Sequence, residues 1–156
     1  MLGVRGQFHL TIDEKGRLGL PSRLRDGLKG KEVERLILTN FKGGLWGYVE
    51  EDWSRYEQAL MEESPFEQES LLFTRAFIAG ASECELDKQG RILIPPYLRK
   101  YAGLDSDKDA VLISVVDRLE VWSRERWEQA YSTALESIDQ AGGLSQLRLG
   151  RGKTGV

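Results

Sequence analysis

Apolar and polar residues alternate from Gly6 to Ile12, with Phe8, Leu10 and Ile12 on one face and His9 and Thr11 on the other. That period predicts a half-buried strand. Asp13-Glu14-Lys15-Gly16 breaks the alternation and predicts a tight turn, in which Asp caps downstream amides and Gly accepts a positive φ. Arg17 begins an outgoing strand that Pro21-Ser22 ends, and Ser22 is placed to cap a short helix over 23–28. Two further strands, 36–38 and 45–49, flank Lys42-Gly43-Gly44. The spacing of Trp53, Tyr56, Leu60 and Met61 predicts a helix from about residue 51. Ser64-Pro65-Phe66-Glu67 has the form of a capping box with Pro at the first helical position. The helix it opens places Leu72, Phe73, Ala76 and Phe77 on one side and ends near Gly80.

The second half repeats this order. Strands 82–86 and 91–94 flank the turn 87–90, and a short helix carrying Leu98 and Arg99 ends near Gly103. Strands 111–115 and 119–122 follow, and a closing helix after Ser123 aligns Trp127, Ala130, Tyr131, Ala134, Leu135 and Ile138 on one stripe. The two turns are copies. Asp13-Glu14-Lys15-Gly16-Arg17 and its Leu18-Gly19-Leu20-Pro21 continuation return as Asp87-Lys88-Gln89-Gly90-Arg91-Ile92-Leu93-Ile94-Pro95. The same offset pairs Gly6 with Gly80, Leu24 with Leu98, Arg25 with Arg99 and Trp53 with Trp127, which marks a duplicated supersecondary unit. Each half is too small to bury its own apolar faces, so the two are expected to complete one pseudo-symmetric α+β barrel. From Ala141 the chain turns Gly-rich and mildly basic (Arg148, Arg151, Lys153), which predicts a flexible tail over 141–156.

Charge sharpens the picture. The chain's formal charge is −3, but residues 1–31 carry seven Lys/Arg against three acids, and residues 32–70 carry three against ten. Residues 71–100 are positive again, with five bases and three acids, so both copies of the turn lie in basic segments. A local basic face attracts phosphate whatever the net charge, because salt screens charges beyond roughly 10 Å.

The inventory argues against catalysis. One His and one Cys make a poor stock of metal ligands and nucleophiles. His9 reads as a surface residue, and Cys84, between two acids, as a small packing residue. No glycine cluster matches a phosphate loop. Hence no catalytic residue, no metal site, no cofactor and no small-molecule ligand is expected. The single cysteine fits a reducing cytosol, and neither a membrane span nor a signal-peptide pattern is present in the sequence.

Asp, Gly and Pro have structural reasons for their places in the repeated turn. The arginines do not, since an exposed ion pair across a turn contributes little stability. Two hairpins presenting Arg17 and Arg91, with Lys15 and Lys88 in the turns and Arg23, Arg25 and Arg99 on the short helices, suit double-stranded DNA. A two-stranded ribbon fits the major groove, where Arg reads guanine O6 and N7 while neighbouring cations hold phosphates.

With these residues in view the chain resembles the MraZ family of bacterial transcriptional regulators, built from two modules of the AbrB/SpoVT swapped-hairpin type. The resemblance rests on the two Asp-x-x-Gly-Arg turns, on Arg75-Ala76-Phe77 with Gly80-Ala81-Ser82-Glu83-Cys84, and on Asp117-Arg118-Leu119-Glu120-Val121-Trp122. It implies a double-split β-barrel with flanking helices, formed by modules over 7–54 and 81–124. Linker helices over 55–80 and a C-terminal helix over 125–140 complete the expected organisation. It further implies ring-shaped homo-oligomers, a cytoplasmic and nucleoid location, and binding to repeated short DNA boxes before the cell-division and cell-wall gene cluster. The family's Asp-x-x-x-Arg signature falls on Asp13 with Arg17 and on Asp87 with Arg91. An AbrB-type module acting through protein, as an antitoxin-like partner or scaffold, is the competing expectation.

Overall fold

The computed structural model describes residues 3–140, so the tail expected over 141–156 lies outside the described residues. Two units divide the chain, a body ending at Arg124 and a second unit beginning at Glu125.

Within the body the duplication is visible element by element. The first copy runs β1 (Gly6–Thr11), β2 (Arg17–Gly19), α1 (Ser22–Gly30), β3 (Arg35–Phe41), β4 (Gly44–Tyr48) and α2 (Glu50–Met61). A linker follows, made of α3 (Gln68–Phe73) and a π-helical turn (Thr74–Ile78). The second copy supplies β5 (Ser82–Glu85), β6 (Arg91–Leu93), α4 (Pro96–Ala102), β7 (Asp109–Ser114) and β8 (Leu119–Ser123), and α5 (Arg124–Gln140) continues into the second unit.

The copies do not pack as two finished halves; they exchange strands. A six-stranded antiparallel sheet has the order β1-β7-β8-β4-β3-β5, and β2 pairs with β6 in a separate two-stranded ribbon. Among the described residues the ladders β3–β4 and β7–β8 lie within a copy, whereas β1–β7, β3–β5, β4–β8 and β2–β6 join one copy to the other. The expected barrel is thus an open six-stranded ladder plus a ribbon, without one continuous closed sheet. Neither is each turn flanked by a paired hairpin of its own. β1 meets β2 through the single bridge Ile12–Leu18, and β5 meets β6 through Leu86–Ile92. The reason is pleat geometry: Leu18, Leu20, Ile92 and Ile94 are fully or nearly buried, and pairing β2 with β6 puts all four into one core. Leu24, Leu28, Leu36, Leu38, Leu98 and Leu112 belong to the same core.

A second cluster is aromatic. Phe77 stacks on Phe73 at 4.7 Å and on Trp53 at 5.3 Å between ring centroids, and meets Phe41 and Tyr48 edge-on. The π-helical turn frees carbonyls that the sheet then satisfies: Thr39 Oγ1 donates to Phe77 O (2.6 Å) and Asn40 Nδ2 to Ala76 O (3.1 Å). The stretch 117–122 helps join the two copies. Tyr56 Oη donates to Asp117 Oδ2, Arg118 Nη1 pairs with Asp117 Oδ1, and the Arg118 guanidinium lies 3.8 Å from the centroid of the Trp46 ring. Glu120, opposite Trp46 in the ladder, is buried, and that burial raises its carboxyl pKa against the opposing pull of Arg118.

Several local expectations need correction. Ser22 begins α1 without a side-chain cap bond; Pro21 holds the cap position. The expected capping box does not form. Ser64 closes a turn with Glu67, helix α3 starts only at Gln68, and Phe66 is exposed. Met61, Leu72 and Ala76 face solvent, because the core beneath the linker is already filled by Phe73 and Phe77. In α5 Trp127 stacks on Tyr131 at 5.2 Å, and Tyr131, Leu135 and Ile138 are exposed. Two expectations hold: His9 is exposed and Cys84 buried, with its thiol pushed up to about 11 by that burial.

Candidate nucleic-acid interface

Both turns close by the same bonds. Asp13 Oδ1 accepts from the amides of Lys15 and Arg17, each at 2.9 Å, and Asp87 Oδ1 accepts from those of Gln89 and Arg91 at the same distance. The second carboxylate oxygen takes the arginine: Arg17 Nε lies 2.6 Å from Asp13 Oδ2, and Arg91 Nε 2.7 Å from Asp87 Oδ2. Gly16 and Gly90 supply the positive φ that the sequence requires of them, at 84° and 72°. The backbone amides of Arg17 and Arg91, foremost, hold the Asp13 and Asp87 carboxyls below the ordinary 3.8, with their guanidinium groups adding to the effect.

Depressed carboxyl pKa values fix the sign of the acid response. The two caps contribute their full stabilisation above about 3.8 and lose it as pH falls through the lowered values. Carbon-detected NMR titration is expected to place both midpoints below the ordinary aspartate value of 3.8. Midpoints at or above 3.8 would contradict the capped geometry.

Arg17 and Arg91 emerge on one surface. In the β2–β6 register Arg17 faces Leu93 and Gly19 faces Arg91, while Leu18 and Ile92 point to the core. Side chains directly opposite in an antiparallel pair share a face, so both arginines lie on the solvent face of a single ribbon. This is narrower than two separate hairpins. Each guanidinium is clamped through Nε, and the terminal nitrogens of Arg17 have no hydrogen bond to any described residue. Arg91 Nη2 reaches Gln89 Oε1 only at 3.4 Å.

The helix arginines play a part the sequence does not disclose. Arg25, from the first copy, donates through Nη1 to Gln89 O in the second copy's turn (3.2 Å). Arg99, from the second copy, lies over Gly16 in the first copy's turn, where an added Cβ would stand 2.6 Å from its Nη1. The backbone repeats the exchange, since Leu20 N donates to Gly90 O and Ile94 N to Gly16 O, each at 3.0 Å. Each turn is therefore braced by the other copy. The glycines serve two needs: positive φ and room for an arginine. The turn type is legible from Gly in the pattern; its second duty depends on long-range packing. Lys15, Lys88 and Arg23 are exposed.

This bracing makes the glycines sensitive. Gly90→Ala is expected to cost about 1–2 kcal/mol from left-handed backbone alone, and more because its Cβ would meet Arg25 Cγ at 2.7 Å. Gly19→Ala, where the nearest atom is Arg91 Cγ at 3.8 Å, should stay within about 0.5 kcal/mol of the parent. Urea unfolding of the two variants checks the contrast; equal stabilities would contradict it.

Strand exchange between two copies, each presenting an aspartate-held arginine on a shared ribbon, defines a duplicated, strand-exchanged α+β protein. Comparison with known proteins agrees with the duplication. A family model described as "MraZ protein, putative antitoxin-like" matches twice, over residues 4–76 and 77–144. A protein of Desulfitobacterium hafniense named "Transcriptional regulator MraZ" is 45% identical over 146 residues, covering 88% of this chain and 97% of its own length. Proteins of the same name from Moorella thermoacetica and Lachnoclostridium phytofermentans are 44% and 41% identical, covering 80% and 86% of this chain and 83% and 89% of their own lengths. The chain belongs to the MraZ family.

Among the described residues no group of His, Cys, Asp and Glu is arranged to hold a metal ion, and no helix is long and apolar enough to cross a membrane.

Proposed function

We propose that this protein is a DNA-binding transcriptional regulator, and that it reads the major groove with the solvent face of the β2–β6 ribbon. One observation carries the reading: Arg17 and Arg91 stand on that face, each held through Nε by its own aspartate. A guanidinium anchored in this way keeps its terminal nitrogens for guanine O6 and N7 and loses little rotamer freedom on binding. Lys15, Lys88 and Arg23 hold phosphates, and Arg25 and Arg99 keep the turns in place while adding positive charge. The bridges at Ile12–Leu18 and Leu86–Ile92 support reading the ladder and ribbon together as a double-split barrel of modules 7–54 and 81–124.

The finer reading follows the family resemblance. The protein assembles into homo-oligomeric rings in the cytoplasm and nucleoid, and binds repeated boxes before the division and cell-wall genes, its own gene included. It needs no cofactor and catalyses no reaction. Tethered heads gain roughly 10²–10⁴ in avidity over one head when the boxes match their spacing.

A mobility-shift titration on the DNA upstream of its own gene tests the reading. Binding is expected to weaken steeply with salt, by a logarithmic slope of about −0.9 per phosphate neutralised. Salt-insensitive binding would overturn it. The family description also carries the words "antitoxin-like". A stoichiometric complex with a second protein, with no specific DNA complex, would favour that alternative.

A further inference from the structure

The ribbon that carries the two arginines is not symmetric, although the repeat would make it so. The residue two places after Arg17 is Gly19, and the residue two places after Arg91 is Leu93. In the antiparallel register Leu93 lies directly opposite Arg17, and Gly19 directly opposite Arg91. Leu93 therefore shares the solvent face with both arginines, and it is 53% exposed on a strand whose other apolar neighbours, Ile92 and Ile94, are 1% and 0% exposed. Nothing in the packing demands glycine at 19. It has no positive φ, and an added Cβ would meet only Arg91 Cγ at ordinary contact distance. One end of the reading face thus carries an apolar knob and the other a notch.

We infer that Leu93 is a specificity residue, and that it packs against the 5-methyl group of a thymine next to the base read by an arginine. A single exposed leucine is unremarkable on most surfaces. Here it stands directly across the ribbon from Arg17 and two residues from Arg91 on its own strand, on the face offered to a polyanion. The major groove presents one apolar feature for such a side chain to meet, the thymine methyl. Gly19, on the pseudo-equivalent site, lets the opposite base edge or backbone come close. The box read by one ribbon is accordingly asymmetric, with a thymine preference on the Leu93 side alone. This inference rests on the proposed DNA-binding function and adds a base identity to it.

The test uses the full-length protein and a duplex that it selects from a randomised pool. Each thymine of that duplex is replaced in turn by deoxyuridine, which removes the methyl and leaves base pairing intact. At one thymine per box the parent is expected to lose about fourfold in affinity, the worth of one buried methyl-sized group. Leu93→Ala should bind the thymine and uracil duplexes equally. Leu93→Ala should also keep the circular dichroism and the assembly size of the parent. If the parent selects a duplex, depends on Arg17 for it, and is indifferent to every uracil, the inference fails while the DNA-binding reading stands. It fails equally if Leu93→Ala retains the parent's thymine preference, or alters only the assembly size, which would make the knob a contact between copies. If no duplex is selected, the DNA-binding reading fails first.

Discussion

Replacing Arg17 or Arg91 by alanine is expected to abolish sequence-specific DNA binding while circular dichroism and assembly size stay those of the parent. The separation follows from how each turn is closed. Asp13 would still accept from the amides of Lys15 and Arg17, and Asp87 from those of Gln89 and Arg91, because these bonds use backbone nitrogen. The lost ion pair is only part-buried, within reach of solvent, and contributes little to folding. On the proposed reading, what disappears is a bidentate donor to guanine, worth about 1–3 kcal/mol per contact, or roughly 5- to 150-fold for each reading head. In the proposed ring, repetition of the loss over tethered heads would take specific binding to the non-specific level. Arg17→Lys is expected to fail almost as fully, since an ammonium cannot replace a planar fork that spans aspartate and guanine. Mobility shifts against specific and scrambled duplexes measure the effect, and parental affinity in both alanine variants would refute the readout.

Phe77→Ala is expected to damage the fold severely, costing about 3–5 kcal/mol in urea unfolding. Phe77 is 2% exposed and stacks on both Phe73 and Trp53, so its removal leaves a cavity among rings that cannot collapse together. Its backbone carbonyl also takes the buried Thr39 hydroxyl, which keeps the π-helical turn in register while the side chain is missing. Leu72→Ala is the informative comparison. Helical spacing places both residues on one side, yet Leu72 is 52% exposed, and its truncation should cost no more than about 0.5 kcal/mol. Similar losses for the two variants would mean that the linker packs differently from the structure.

Much of the turn chemistry was readable in the sequence, because it is local. Asp13 caps amides two and four residues on, Gly16 takes the positive φ, and Arg17 returns to its own aspartate, all within five residues. The arginine-bearing strands, the short helices and the four central strands were legible for the same reason: their apolar positions alternate or recur at a fixed period. Helix caps were less so. Ser64 and Glu67 satisfy the capping pattern, but the chain closes a turn there and defers the helix to Gln68. Periodicity also fails where one stripe has more apolar residues than the core beneath has room for, as with Leu72 and Met61.

By itself, then, the sequence determined that the chain is a duplication, that each copy carries an aspartate-capped turn with an arginine, and that both turns lie in basic segments. Tertiary structure alone decided which strands pair. A period of two says that Leu18 and Ile92 point inward, but it cannot say that each strand finds its partner in the other copy and that Arg17 and Arg91 therefore share one ribbon. Nor can it place Arg25 over Gly90 and Arg99 over Gly16, contacts that span 64 residues or more of chain. The physical reason is range. Capping and pleating are settled by neighbours along the backbone, whereas strand exchange is settled by which pairing buries Leu18, Leu20, Ile92 and Ile94 in a single core.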